Sequence, residues 1–308
     1  APLPPAGAHE APDWALGAAS ATDHVRLLME IVMGDIRDPY HMAQLVKGQD
    51  AILHLAALIA IPFSYVAPDM YVQTNIQGTL NLLNAARDAG VPRFIHTSTS
   101  EVYGTAQYVP IDEAHPKAPI NPYGRSKWMV EQILEDFDRA YGLKSVCLRY
   151  FNAAGADPDG QLGERHEPET HLIPLILQAA SGRRDAVTVF GRDYDTADGT
   201  CIRDYVHVAD LASAHALAVD YLMAGGASTA FNLGNGLGFS VQQVIDTARA
   251  VTGRQIPTLD APRRAGDPPR LVADASKAMQ VLGWQPAYAS LERIVAHAWQ
   301  WELQYPWH

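Results

Sequence analysis

The sequence predicts an α/β protein in which a doubly wound parallel sheet is followed by a smaller α/β domain, and three observations predict it. Short apolar runs alternate with helical patterns between residues 29 and 151, as successive strand–helix–strand units require. Hydroxyl residues cluster where one of these runs ends, at Thr97, Ser98, Thr99 and Ser100, and parallel sheets gather functional groups at that end of their strands. Beyond residue 152 the regularity breaks, with Gly, Pro and Asp dominating as far as Pro168, which marks a junction. A chain of 308 residues has room for two such units.

The elements follow in order. Residues 1–25 are rich in Ala, Pro and Gly without periodicity and predict an irregular arm. Apolar runs at 29–35, 51–57, 93–100 and 145–151 predict strands. Between them, 76–90 and 126–142 carry apolar residues at helical spacing and stop at Gly90 and Gly142, glycine being the usual residue just past a helix. In the second half a helix at 171–182, strands at 186–191 and 230–235, and a helix at 240–253 are predicted, the last capped by Ser240. The first domain then spans 1–152 and the second 153–308, with about 203–234 packing back on the first.

Composition narrows the function. Apolar residues make up 48% and charged residues 19%, an ordinary globular balance that excludes wholesale disorder. Lys and Arg number 23 against 34 Asp and Glu, a formal charge of −11; such a surface repels nucleic acid and anionic lipid. Any bound phosphate should belong to a small ligand held by local groups. The two cysteines, Cys147 and Cys201, make no disulfide framework and have no metal-ligand spacing, so no metal is expected. With no apolar run near 18 residues and no Lys or Arg in the first 25 positions, the expectation is a cytoplasmic protein.

The sharpest chemical signal is Asn-Pro-Tyr-Gly-Arg-Ser-Lys, in which Tyr123 and Lys127 lie one helical turn apart and share a face. A free phenol, with a pKa of about 10, is a poor base at neutral pH, and making it one takes roughly 4 kcal/mol of preferential phenolate stabilisation. An ammonium on the same face and a nearby cationic ring could supply it. The preceding strand ends in the hydroxyl cluster, which can hydrogen-bond both a substrate oxygen and the phenol.

With these residues the chain resembles the extended short-chain dehydrogenase/reductases, a Rossmann-like superfamily acting on nucleotide sugars. The segments RYFNAAGADPDGQLGERHEPETHLIPLILQAASG, CIRDYVHVADLASAHALAV, FNLGNGLGFSV and APRRAGDPPRLVADASKA are similar to the UDP-glucose 4-epimerase family. HLAALIAIPFSYVAPDMYVQTN and TSTSEVYG are instead similar to nucleotide-sugar 4,6-dehydratases. The resemblance implies a tightly held NAD, reduced and reoxidised within one turnover, and a homodimer formed through a helix pair that includes residues 126–137. It implies that Tyr123 takes the proton of the sugar 4-hydroxyl, that Lys127 holds the cofactor ribose and depresses the phenol pKa, and that Thr99 hydrogen-bonds the 4-oxygen. Asp35 and Ile36 would contact adenine, Leu55, Ala56 and Ala57 would line the cofactor groove, Asn75 would support it, and Tyr150 would flank the nicotinamide. Phe151, Asn152, Leu172, Phe190, Arg203, Arg264 and Asp267 would surround a UDP-sugar, arginine suiting pyrophosphate through its planar fork. Leu271 falls where bulk at the sugar C2 is limited.

Two departures stand out. The family opens with a glycine-rich turn between strand and helix that holds the cofactor pyrophosphate, and only Gly7, Gly17 and Gly34 precede Asp35, so the first strand–helix unit reads as missing. The sheet should then close up with 29–34 beside 51–56, be filled by the arm or a partner chain, or be weakened, and NAD affinity should fall. Gly234, Gly236 and Gly238 have the wrong spacing to substitute. Glu101 stands where dehydratases have their C5 base, with Ser100 in place of the dehydratase aspartate. This leaves three readings: UDP-glucose/UDP-galactose 4-epimerase, nucleotide-sugar 4,6-dehydratase, or an impaired chain that binds UDP-sugars without retaining NAD.

Overall fold

The computed structural model describes residues 30–264 and 268–304; the expected arm and Asp267 lie outside them. The first half runs α1 (Pro39–Leu45), β1 (Ile52–His54), α2 (Ile61–Val66), α3 (Pro68–Tyr71), a π-helical turn (Val72–Gly78) continuing into α4 (Thr79–Ala89), β2 (Arg93–Thr99), α5 (Pro122–Tyr141) and β3 (Lys144–Tyr150). The second half comprises β4 (Asn152–Ala154), α6 (Leu172–Ser181), β5 (Val187–Phe190), β6 (Ile202–Arg203), β7 (Tyr205–His207), α7 (Val208–Met223), β8 (Thr229–Leu233), β9 (Phe239–Ser240), α8 (Val241–Thr252), β10 (Thr258–Ala261), β11 (Arg270–Leu271), α9 (Ser276–Leu282) and α10 (Leu291–Gln304).

The main sheet is wholly parallel in the order β1-β2-β3-β8. Successive residues of a strand face opposite sides, and both sides are covered. Phe94 and Cys147 meet Leu82 and Leu83 of α4 and Val130 and Leu134 of α5. Ile95, Val146, Leu148 and Phe231 meet Leu211, Ala214 and Ala218 of α7 and Ala278 of α9. The strand near 230 and the helix before it thus belong to the first sheet, although they follow the junction in sequence. A separate core joins α6, α8 and α10 to β5 through Ile176, Val187, Ile245 and Ile294. Around it lie the pairs β10-β5 and β4-β7 and the small sheet β11-β6-β9.

The strand expected at 29–35 does not form: residues 30–35 have no strand structure, and Ile31, Val32 and Met33 are exposed, Met33 by 88%. An apolar run becomes a strand only where a neighbour pairs its backbone and a helix covers its side chains, and among the described residues β1 has β2 as its one sheet neighbour. Closure of 29–34 onto 51–56 is therefore not what the chain does. The expected strand at 51–57 contracts to Ile52–His54. The second helix begins at Pro122 rather than 126, because Asn121 caps it and Pro122 sits in its first turn, the position proline favours. It ends at Gly142, whose φ of 72° is one that L side chains rarely adopt.

One buried polar network ties the sheet to its surroundings. The Glu131 carboxylate accepts hydrogen bonds from Ser98 Oγ at 2.5 Å and from Arg149 Nη2 at 2.6 Å. Arg149 also donates to Tyr103 Oη at 2.8 Å, and Tyr103 donates to Asn232 Oδ1 at 2.6 Å. The ladder joins α5, β2, β3 and β8. No helix among the described residues is long and apolar enough to cross a membrane.

Candidate active site

The first turn of α5 is pressed against the end of β2. The Asn121 side chain accepts the Gly124 N–H at 2.7 Å, capping the helix, and its amide donates to Glu101 Oε2, also at 2.7 Å. Gly124 is required by this approach, since a Cβ there would lie 2.6 Å from the Glu101 carbonyl oxygen. The packing delivers Tyr123 and Lys127, both buried, to the carboxyl end of β2. The Tyr123 phenol lies beside the Thr99 side chain and meets the Tyr71 ring edge-on at 6.4 Å. Lys127 donates from Nζ to the Thr97 carbonyl at 2.9 Å.

Burial governs both titrations. It pushes the Tyr123 phenol above the ordinary range, the Thr99 hydroxyl opposing this and the Glu101 charge adding to it. It lowers the Lys127 ammonium to about 8. The expected depression of the phenol by the lysine is thus not what the ligand-free pocket shows. The amine is engaged by a backbone carbonyl, and it is not among the groups that act on the phenol, whose rise comes first from desolvation.

Asn75 fastens the neighbouring wall. It lies on the π-helical turn, a local geometry frequent at functional sites, and is buried. Its Oδ1 accepts the Leu58 N–H at 2.8 Å, while Nδ2 donates to the Leu58 carbonyl at 2.9 Å and to Ser126 Oγ at 3.0 Å. The strip beyond β1 is held open by this clamp: Leu55 is 57% exposed and Ala56 is exposed, with Ala57 partly buried. Below it, His54 bonds Thr79 Oγ1 at 2.8 Å and His96 is buried with no hydrogen-bond partner for either ring nitrogen. Burial depresses both imidazoles, His54 to about 3.

Asp35 and Ile36 form the turn before α1. The exposed Asp35 carboxylate is held by Arg37, which brings it down to about 2; Ile36 packs beside Gly78 and its carbonyl accepts Asn81 Nδ2 at 3.0 Å. The Tyr150 hydroxyl lies 3.0 Å from His215 Nε2 on α7, and burial pushes it up to about 12. Phe151 and Leu271 share a small core with Val102 and Tyr103. Leu271 pairs in register with Arg203, whose Nη1 donates to the Pro268 carbonyl at 2.9 Å. The Arg264 guanidinium lies 3.9 Å from the Phe190 ring centroid, Asn152 is exposed on β4, and Leu172 opens α6.

The glycine-rich segment 234–238 is excluded as a phosphate cradle on physical grounds. The Asp204 carboxylate already accepts the N–H groups of Asn235 at 2.7 Å, Gly236 at 2.9 Å and Ala273 at 3.0 Å, and Ser240 caps α8 with Gln243. Sequence reasoning missed Asn121, Tyr71 and the Glu131–Arg149 pair. Asn before Pro in front of a helical pattern is a capping signal that could have revealed the first.

A profile of the GDP-mannose 4,6 dehydratase family matches residues 15–297. A UDP-glucose 4-epimerase of Rhizobium meliloti is 52% identical over 270 residues, 87% of this chain and 82% of that protein. The crystal structure of the UDP-glucose 4-epimerase from Brucella ovis in complex with NAD superposes with a TM-score of 0.86 at 45% identity, covering 88% of this chain and 84% of that one. That of the UDP-glucose 4-epimerase from Bifidobacterium longum in complex with NAD+ and UDP gives 0.84 at 38% identity, covering 89% and 83%.

Proposed function

Because the chain belongs to the UDP-glucose 4-epimerase family, within the wider group described by the GDP-mannose 4,6 dehydratase profile, we propose that it interconverts UDP-glucose and UDP-galactose with NAD as its redox cofactor. The observation that carries this reading is that Tyr123 and Lys127 are both buried against the carboxyl end of β2, the lysine bonded to the Thr97 carbonyl and the phenol beside Thr99. The residues present suit the nicotinamide–ribose half of the cofactor: the ledge at 55–57 is open, and the buried Lys127 ammonium sits on the Thr97 carbonyl of the adjacent strand. When bound, NAD supplies a hydride acceptor that returns the same hydride to the sugar.

Tyr123 Oη takes the proton of the 4-hydroxyl as hydride leaves C4, and Thr99 Oγ1 holds the 4-oxygen. The 4-keto sugar turns over in the pocket, and Tyr123 returns the proton after hydride arrives on the opposite face. Burial makes a phenolate costly, and positive charge placed beside the phenol offsets that cost. The cofactor belongs to the unit ending at residue 152, with Asp35, Ile36 and Asn75 supporting it, and the UDP-sugar to the unit that follows, through Arg203 and Arg264 with Phe190 and Leu172. Two chains pair through the outer face of α5, where Met129 and Tyr141 are exposed.

The test is Tyr123→Phe assayed with UDP-galactose, following UDP-glucose. The expected outcome is a fall in kcat of about 10²–10⁴-fold with the fold intact; retained turnover overturns the assignment. An absorbance scan of the purified protein reads bound NAD(H), and UDP-sugar binding without NAD would identify an impaired chain. A 4-keto-6-deoxy product would mark a dehydratase.

A further inference from the structure

We propose that Glu164, His166, Glu169 and His171, in the loop between β4 and α6, bind a divalent transition-metal ion of the zinc class. No metal was expected from the cysteines, but the loop carries Glu-x-His twice, five residues apart. Folding brings the four donors within 4.8 Å of one another. His166 Nδ1 and His171 Nδ1 each lie 3.5 Å from Glu169 Oε1, and His171 Nδ1 is in close contact with Glu164 Oε1. Zinc bonds of about 2.0–2.1 Å to nitrogen and oxygen give a tetrahedron with edges of about 3.3 Å, so the two 3.5 Å edges at Glu169 nearly fit as they stand, while the close His171–Glu164 contact must open to admit the ion.

Three further observations point to a ligand. Glu169 is 6% exposed, and the Thr170 and His171 N–H groups fix its carboxylate at 2.6 and 2.7 Å, an arrangement that orients a metal-binding carboxylate. His166 Nδ1 is buried without a hydrogen-bond partner, which a neutral imidazole resolves by donating its lone pair to a cation. A cavity of about 30 Å³ opens beside Glu164, His166 and Glu169, room for one water-sized body. Mixed imidazole and carboxylate donors favour zinc over magnesium or calcium, which take oxygen ligands. Because the Trp301 Nε1–H bonds the Glu164 carbonyl at 2.9 Å and Leu172 begins α6 immediately after His171, an ion here would staple the loop to α10 and set the start of α6.

The experiment strips the purified protein with a chelator, dialyses it against zinc sulfate, and measures metal by atomic emission alongside thermal melting. Wild type should retain about one zinc per chain and melt higher with zinc, while His166→Ala/His171→Ala retains less than about a tenth and melts the same with or without it. His171→Asn alone, at the most exposed ligand (43%), covers the case in which the double variant fails to fold, with an expected loss of at least about tenfold in zinc affinity. Equal zinc in wild type and variants, no zinc in wild type, or equal retention of magnesium overturns the site and leaves a proton shared by His171 and Glu164. Neither readout depends on the epimerase reaction.

Discussion

Burial acts on Tyr123 and Lys127 in opposite senses and drives both toward their neutral forms. For the lysine the sign of the linkage is clear. Below pH 8 native and unfolded chains both hold the proton, and the native state bears the full desolvation cost. Between about 8 and the free value of 10.5 the native amine is neutral while the unfolded one stays charged, so stability rises with pH, by up to about 3 kcal/mol. Lys127→Met should lose that rise together with activity, as read by denaturant unfolding at pH 7 and 9.5; an unchanged pH dependence would show that the amine is hydrated. Glu101 offers a second test, because its charge raises the phenol. Glu101→Gln keeps an oxygen for Asn121 but removes the charge, so the acidic limb of kcat/KM should move to lower pH by about half to one unit. A limb that stays in place would mean the carboxylate acts on the helix cap alone.

Helix α5 was legible in the sequence because its cues are local: apolar spacing along it and Gly142 at its end, while its cap at Asn121 and Pro122, equally local, went unread. The pairing of Tyr123 with Lys127 on one face follows from the same periodicity. What the lysine touches does not, because the Thr97 carbonyl lies on another element and reaches the amine only through packing. The strand expected at 29–35 failed for the same reason, since its apolar character says nothing about whether a neighbouring strand and covering helix exist. Arg149 and Glu131 were invisible too, each resembling a solvated charge until β3 and α5 are brought face to face. Their mutual dependence makes a prediction for the layer they join. Arg149→Met leaves a buried carboxylate without its cation and should cost about 3–5 kcal/mol in denaturant unfolding, with part of the loss recovered in Arg149→Met/Glu131→Gln. A change under about 1 kcal/mol would show that water reaches the pair.

Across the whole molecule the two halves are interleaved rather than joined by a linker. β8 and α7 return to complete the first sheet, and the Ile111 N–H bonds the Val272 carbonyl at 2.8 Å, so the chain crosses between layers several times. The sequence predicts that about 203–234 packs back on the first unit, and α7 and β8 fall in that span; the crossing at Ile111 and Val272 was not read, because it rests on a backbone contact far apart in sequence. Asp204 stands at one crossing, between β6 and β7, with its carboxylate turned onto amides of two other segments. In effect the protein carries its own built-in acceptor of three amides there, and an apparently gentle substitution becomes the harshest one. Asn has the same shape but replaces one oxygen with a group that brings hydrogens toward hydrogens, so Asp204→Asn should lower stability by about 2–4 kcal/mol in denaturant unfolding. Asp204→Ala, which leaves space for water, should lose no more.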